Sequence, residues 1–472
     1  MNGLRTQMLV MKFGGTSVGS AAAITQTVEI LADAAQRVRV LGIVSAMSGV
    51  TNTLLAKAHA SAGGDSDGVD GARAALLAPH RAALLELIPT GDRRRETEAQ
   101  LGALADEVAR LLYSVYVLRE LSPRASDRIS SFGERMSSVL VAAALNERGT
   151  PAQSVASDKL IVTDSVFGGA SPLLDKTSEK AQATLAPVFE AGLLPVVTGF
   201  FGADERGITT TLGRGGSDYS ASILGHALDA DEIWIWTDVD GVMTADPRLV
   251  PDARTLAAIT YAEATELAYF GAKVIHPKTM HPATEREIPV WIKNTFRPAQ
   301  PGTRIGPVPQ DGGVARALAS ISGVAAITVE GRGQLGVTDV TARIFTAIGR
   351  SGVNVYMISQ ASSQHSVTFI VPEGQANAAL TALDSEFEID LLRGAVLSVD
   401  AVRELAIVAI VGGGMRGTPG VAGRVFATMG SENVNIVAIA QGSSELNISF
   451  VVSGADVNRA VVALHRAFVL GG

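Results

Sequence analysis

A chain of 472 residues is too long for one ordinary hydrophobic core, and with 47% hydrophobic and 18% charged residues it has the composition of a protein folded throughout, in two or three domains. The formal net charge of -8 is the wrong sign for a nucleic-acid partner, so any anionic ligand has to be met by local groups. Without cysteine there is no disulfide framework and no thiolate metal site; no apolar run of about 18 residues would span a bilayer, and the first ten residues are too short and polar for a secretory signal, so no membrane partner and a cytoplasmic location are expected.

Met8 to Phe13 reads as a buried strand that turns on Gly14 and Gly15 into a helix capped by Thr16 or Ser17. Backbone N–H groups at such a turn, with the helix N-terminus behind them, suit a polyphosphate, and the Lys12 ammonium would face the same anion. The spacing is neither the dinucleotide fingerprint nor the P-loop, and a purely structural turn is the alternative. Val40 to Ala46 is a second strand. From Ala56 to Arg128 the text becomes Ala, Leu, Glu and Arg at helical spacing, which predicts a helical insertion over about 56–128. The segment Ser126 to Ser138 then opens a helix with Glu134 near its start, where a capping charge is the plainer reading.

Strands are predicted next at Ala152 to Ser157 and Pro195 to Phe201. The run Thr209 to Ala221 again leaves a strand and opens a helix, and its hydroxyls, Arg214, Gly213, Gly215, Gly216 and Ser217 make a plausible anion nest. Asp218 would oppose a phosphate there and needs a cation such as Lys12, a substrate ammonium or a metal. Glu232 to Val239 is a strand running into an acidic turn that ends at Asp246-Pro247-Arg248, and Pro289 to Asn294 is another. Short strands alternating with helices over the first 300 residues give an α/β domain with a parallel-rich sheet. Arg297 to Gly313 holds four prolines and four glycines and reads as a linker.

Downstream the sequence repeats at an offset of 81: Arg343/Arg424, Phe345/Phe426, Val353/Val434, Asn354/Asn435, Ile358/Ile439, Gln360/Gln441 and Phe369/Phe450 are among the identical pairs. Each copy reads strand, helix, strand, turn, strand, helix. Gln360 and Gln441 either cap strand ends or, duplicated opposite Asn354 and Asn435, line a ligand seam.

Lys12-Phe13-Gly14-Gly15-Thr16-Ser17-Val18, Ser48-Gly49-Val50-Thr51-Asn52, Ser131-Phe132-Gly133-Glu134-Arg135, Thr211-Leu212-Gly213-Arg214-Gly215-Gly216-Ser217-Asp218 and Phe270-Gly271-Ala272-Lys273-Val274-Ile275-His276-Pro277 together, in this order, resemble the aspartokinases of the amino-acid kinase family. The resemblance implies an amino-acid kinase fold over 1–296, its parallel-rich sheet sandwiched by helices, a linker over 297–318, and two α+β ACT modules at 319–395 and 396–472, with the tail packing back on the first. It implies transfer of the ATP γ-phosphoryl group to L-aspartate, with ATP and Mg2+ as cofactors and no metal-ligating side chains of the chain's own. Lys12, Arg214 and Asp218 look catalytic. Thr51, Glu134, Arg214, Ser217 and Asp218 look like the aspartate set, in which Arg214 takes the α-carboxylate and Glu134 or Asp218 the ammonium. Lys12, Phe13, Gly14, Gly15, Thr237, Asp238, Arg248 and Lys273 resemble the nucleotide contacts, with Met243 departing from a tyrosine common in relatives. The ACT modules are similar to those of bifunctional aspartokinase-homoserine dehydrogenases, so Asn354, Gln360, Asn435 and Gln441 would bind an amino-acid effector, threonine ahead of lysine, in a homodimer or tetramer. A kinase of the same fold with another acceptor and a catalytically silent amino-acid sensor are the rival readings.

Overall fold

The structure, a computed structural model, describes residues 7–271, 275–307, 313–331, 337–360, 366–468 and 470. It forms two compact units, one of Met1–Val242, Ala257–Tyr261 and Val274–Val308, the other of Met243–Leu256, Ala262–Lys273 and Pro309–Gly472. Among the described residues no helix is long and apolar enough to cross a membrane.

In the first unit β1 (Met8–Phe13) leads through α1 (Ala21–Ala35) to β2 (Arg39–Val44). All six residues of β1 are buried, as a strand covered on both faces requires, and Ser20 caps α1 by accepting from the Ala23 N–H at 3.2 Å. The insertion follows as α2 (Val50–Gly63), α3 (Ala72–Leu87), α4 (Asp92–Leu118) and α5 (Pro123–Ser130). Thr97, Leu101, Ala105, Val108, Leu112 and Val115 make one buried stripe along α4, the spacing that fixes an amphipathic helix. Then come α6 (Phe132–Glu147), β3 (Ala152–Val155), β4 (Val162–Thr163), α7 (Leu174–Glu190), β5 (Leu194–Thr198), β6 (Phe201–Asp204), β7 (Thr209–Thr211), α8 (Gly216–Ala227), β8 (Glu232–Thr237), β9 (Ala258–Thr260), α9 (Tyr261–Tyr269), α10 (Pro277–Glu285), β10 (Val290–Asn294) and β11 (Thr303–Gly306).

Eight of these strands form one sheet in the order β3-β5-β2-β1-β8-β10-β11-β9, parallel except at the β10–β11 pair, and β4-β6-β7 form a smaller one. The parallel-rich α/β sheet expected from the alternating pattern is therefore present. The Pro- and Gly-rich stretch read as a linker nevertheless contains β11, whose residues Thr303, Ile305 and Gly306 are buried; strand pairing outweighs its composition. In parallel sheets ligands gather at the carboxyl ends of the strands, and here the ends of β1, β2, β5 and β8 adjoin. The Gly14 N–H donates to the Trp236 carbonyl at 3.0 Å, tying the exit of β1 to that of β8.

The second unit contains α9 and two copies of the repeat, built from β12 (Ala317–Gly331), α11 (Val337–Ser351), β13 (Met357–Gln360), β14 (Ser366–Pro372), α12 (Ala376–Leu392), β15 (Val396–Val411), α13 (Val421–Ser431), β16 (Ala438–Ala440), β17 (Asn447–Ser453) and α14 (Val457–Ala467). Their six strands lie in the order β13-β14-β12-β15-β17-β16. The two longest form an antiparallel ribbon that both copies share. Val324–Glu330 of β12 pair with β14, and the start of β15 lies on their other side; residues 405–411 of β15 pair with β17, and the start of β12 lies on theirs. The ribbon passes from one copy to the other at Gly323 and Glu404, themselves 81 apart, which have φ of +72° and +56°. What crosses between copies is thus a strand. The tail helix α14, expected to pack back on the first copy, instead fills the core of the second, with Val461 and Leu464 among Val408, Ile410, Phe450 and Val452. The first copy has its own core of Ile327, Val329, Ile344, Phe369, Leu383 and Phe387.

Candidate active site

At the carboxyl ends of the central strands of the first unit lies a cavity of about 380 Å³, walled by Gly15, the loop 45–49, Thr51, Glu134, Phe200 and the loop 213–218. Both glycine turns reach it. Gly15 is needed because a Cβ there would lie 3.0 Å from the Ala46 carbonyl oxygen, and Gly216 because one would lie 2.8 Å from the Phe200 ring. Gly213 and Gly215 have φ of +77° and +72°, the left-handed conformation that lets this loop turn from β7 into α8. Lys12 comes off the end of β1, and its Nζ stands 2.6 Å from Asp218 Oδ1 in the first turn of α8, with side chains 10% and 17% exposed. The cation that Asp218 required is Lys12.

Glu134 enters from the first turn of α6 and is buried, with its Oε2 lacking any hydrogen-bond partner. Burial pushes its carboxyl up to about 8, against the opposing pull of backbone N–H bonds and the nearby Arg135 and Lys12 charges. A buried carboxyl oxygen on a cavity wall suits a donor, and a cationic donor would draw the proton off. The helix holding it is tightly seated: a Cβ on Gly133 would lie 2.6 Å from that of Ala46, and Arg135 lies over the Phe201 ring while pairing with Asp158 at 2.5 Å. Gly133→Ala is therefore expected to cost about 1–3 kcal/mol of stability and to raise the KM of the substrate that meets Glu134, as read by melting curves and initial rates.

Lys12, Gly15, Thr51, Glu134, Arg214, Ser217 and Asp218 thus share one cavity. Arg214 is exposed at its rim. Phe13 is fully buried and stacks on Trp236 with ring centroids 6.0 Å apart, so only its backbone can meet a ligand. Gly14 adjoins Lys12, its Cβ position lying 3.7 Å from Nζ. Thr237 and Asp238 follow the end of β8, where the Thr237 hydroxyl donates to Asp238 at 3.2 Å, and do not line the cavity. Arg248 belongs to the second unit and forms an exposed pair with Asp246 at 2.6 Å, which raises its pKa. Lys273 lies outside the described residues. Asn354, Gln360, Asn435 and Gln441 are all exposed in the second unit, the glutamines at the ends of β13 and β16, which touch each other. Among the described residues no group of three or more His, Asp or Glu could hold a metal ion.

Sequence reasoning missed Phe200. With φ of +76° it is a strained non-glycine residue between Gly199 and β6, and it forms one wall of the cavity; Gly199 just before it was the only signal. The loop Ser45–Met47 was missed too, since nothing in its composition marks it.

The family model for the amino acid kinase family matches residues 7–294, and that for the ACT domain matches residues 327–387 and again 408–468. A bifunctional aspartokinase/homoserine dehydrogenase of Arabidopsis thaliana is 35% identical over 98% of the chain but only 51% of its own length, so the chain spans about half the length of such relatives. The lysine-sensitive aspartokinase 3 of Escherichia coli is 34% identical over 98% of the chain and 99% of its own. The crystal structure of E. coli aspartokinase III in complex with aspartate and ADP superposes with a TM-score of 0.81 at 33% identity, covering 98% of this chain and 100% of that one. A catalytic-domain model that matches most of the chain, two ACT matches that coincide with the internal repeat, and end-to-end likeness in sequence and fold place this chain in the amino acid kinase family, among the aspartokinases.

Proposed function

We propose that the chain is an ATP-dependent kinase that phosphorylates the β-carboxylate of L-aspartate to give 4-phospho-L-aspartate, the opening step of lysine, threonine and methionine biosynthesis, and that an end-product amino acid inhibits it. The observation that carries this reading is the single cavity in which the Lys12 ammonium, the open Glu134 carboxyl and the Gly213–Ser217 loop meet. A β-carboxylate oxygen forms a bond to the γ-phosphorus as the bond to the β,γ-bridging oxygen breaks, leaving ADP. The acceptor has a reference pKa of about 3.9 and is ionised near neutral pH, so no general base is needed. What must be overcome is the repulsion between two anions, and Lys12 with the amide of Gly15 supplies the positive field, while the Gly14 amide is spent on the Trp236 carbonyl. Arg214 takes the α-carboxylate and Glu134 the ammonium, while Thr51 and Ser217 offer hydroxyls, which leaves only the β-carboxylate free to attack.

Mg2+ would bring further charge neutralisation on the nucleotide phosphates. Such an ion is held mostly by phosphate oxygens and waters, so in this reading the nucleotide supplies most of its ligands. Thr237 and Asp238, at the exit of β8, extend the proposed ATP set. ADP release that depends on aspartate, and that glutamate does not elicit, tests the reading; equal turnover with both, or none with aspartate, would refute it.

For the effector we favour threonine. Asn354, Gln360, Asn435 and Gln441 are neutral amides, which suit a hydroxyl and offer no counter-ion to the ε-ammonium of lysine. The E. coli relative named lysine-sensitive supports the alternative. Calorimetric titration is expected to give saturable heat with threonine and none with lysine; the opposite pattern would reverse the order. The edge strands β13 and β16 expose Ile358 and Ile439 at 48% and 44%, and such edges are commonly covered by a second copy, which supports a homodimer or tetramer.

A further inference from the structure

Asp127, near the end of α5, is a carboxylate that no step above uses. It is 3% exposed, and its donors are neutral: the Gly168 N–H at 2.9 Å, the Thr211 N–H at 2.8 Å and the Thr211 hydroxyl at 2.7 Å. Neither anchored residue lines the cavity, but both adjoin the Gly213–Asp218 loop that does. Thr211 lies three residues before Arg214, and its carbonyl also accepts from Ala170 N–H at 2.8 Å. Gly168 and Gly169 form the floor beneath Gly213, whose Cβ position lies 3.3 Å from the Gly168 oxygen and 3.5 Å from the Gly169 Cα. The next residue, Arg128, reaches Thr209 Oγ1 at 3.3 Å, so two consecutive side chains of α5 button it to β7. On its other side α5 runs without a flexible link into α6: the Ser131 N–H donates to the Asp127 carbonyl, and the Arg135 N–H to that of Ser131.

We infer that Asp127 is a positioning residue. It sets the spacing between Glu134 on α6 and Arg214 to Asp218 at the entry and first turn of α8, and with it the fit of an α-amino acid that must place its ammonium on one and its carboxylate on the other. The inference rests on the substrate reading above. A carboxylate facing three donors is not fully matched by its amide: in Asp127→Asn the NH2 group confronts the Gly168 N–H in either orientation, and the Thr211 hydroxyl keeps its bond only by turning from donor to acceptor. A displacement of about 1 Å at such a clamp is enough to cost roughly 10²-fold in rate.

The test compares Asp127→Asn and the milder Thr211→Val, which deletes one donor, with the intact chain. Expected for Asp127→Asn are an aspartate KM raised about tenfold with an unchanged ATP KM, and amide hydrogen exchange about tenfold faster in the peptide covering Gly213–Ser217 but not in that covering Gly14–Ser17. Thr211→Val is expected to shift the same two quantities by about threefold. A residue that served only stability would lower the folded fraction and hence the maximal rate while leaving both KM values alone; that pattern, or unchanged exchange at Gly213–Ser217, overturns the inference. An intact chain inert toward aspartate would refute the substrate assignment, and the exchange measurement would still decide whether Asp127 holds the loop.

Discussion

Lys12→Ala is expected to lower kcat about 10³-fold, with a far smaller change in the aspartate KM, which corresponds to roughly 4 kcal/mol of transition-state stabilisation. Two unit charges about 4 Å apart near a protein surface interact by about 4 kcal/mol, so one buried ammonium between the two reacting anions can supply a loss of that size. The ammonium is engaged with Asp218 at 2.6 Å, which keeps it aimed into the cavity. Removing it also strands the Asp218 charge, so Lys12→Ala with Asp218→Asn serves as the control: the double variant is expected to recover thermal stability but not turnover. Initial rates over a grid of aspartate and ATP concentrations separate the two parameters. Unchanged turnover in Lys12→Ala would remove this residue from the phosphoryl site.

Glu134→Gln is expected to raise the aspartate KM about 10²-fold, because it replaces a carboxylate by a neutral amide opposite the substrate ammonium. Its effect on the empty protein has the opposite sign. The Glu134 carboxyl is raised by burial from its ordinary range to about 8, so the folded state holds a proton that the unfolded chain gives up. Stability tied to that proton is complete below the unfolded value near 4.5 and is lost as pH rises towards about 8. Glu134→Gln carries no such proton, so its melting temperature is expected to exceed that of the parent at pH 9 by several degrees and to match it near pH 5. Aspartate binding at pH 7 should likewise expel a proton, visible as a binding heat that varies with the ionisation enthalpy of the buffer. A buffer-independent heat would place the substrate ammonium elsewhere.

Much of this site was legible because its parts are local. Lys12 follows four apolar residues and precedes two glycines, and a cation at the end of an otherwise apolar strand points to an anion there. The Gly213–Ser217 loop announces itself by composition, and the repeat by its run of identities at one offset. What the chain conceals is pairing at long range. Thr303–Gly306 looks like linker because it is surrounded by Pro and Gly, yet it pairs with both β10 and β9. Arg248 lies only eleven residues after Thr237, but Ala245 and Val250 join the core of the second unit, which sequence distance cannot convey. Asp127 is one acid on a polar helix face, and its meaning comes wholly from Gly168 and Thr211, which are 41 and 84 residues away.

The shared ribbon of β12 and β15 governs how the sensor half could be re-engineered. A chimaera that joins one ACT copy to a foreign partner at residue 395 would hand over its fourth strand with the discarded piece, because residues 396–402 complete the first copy and residues 317–322 the second. Junctions at Gly323 and Glu404, where both ribbon strands change allegiance together, keep each four-stranded set whole, and the cut must be made at both places or at neither.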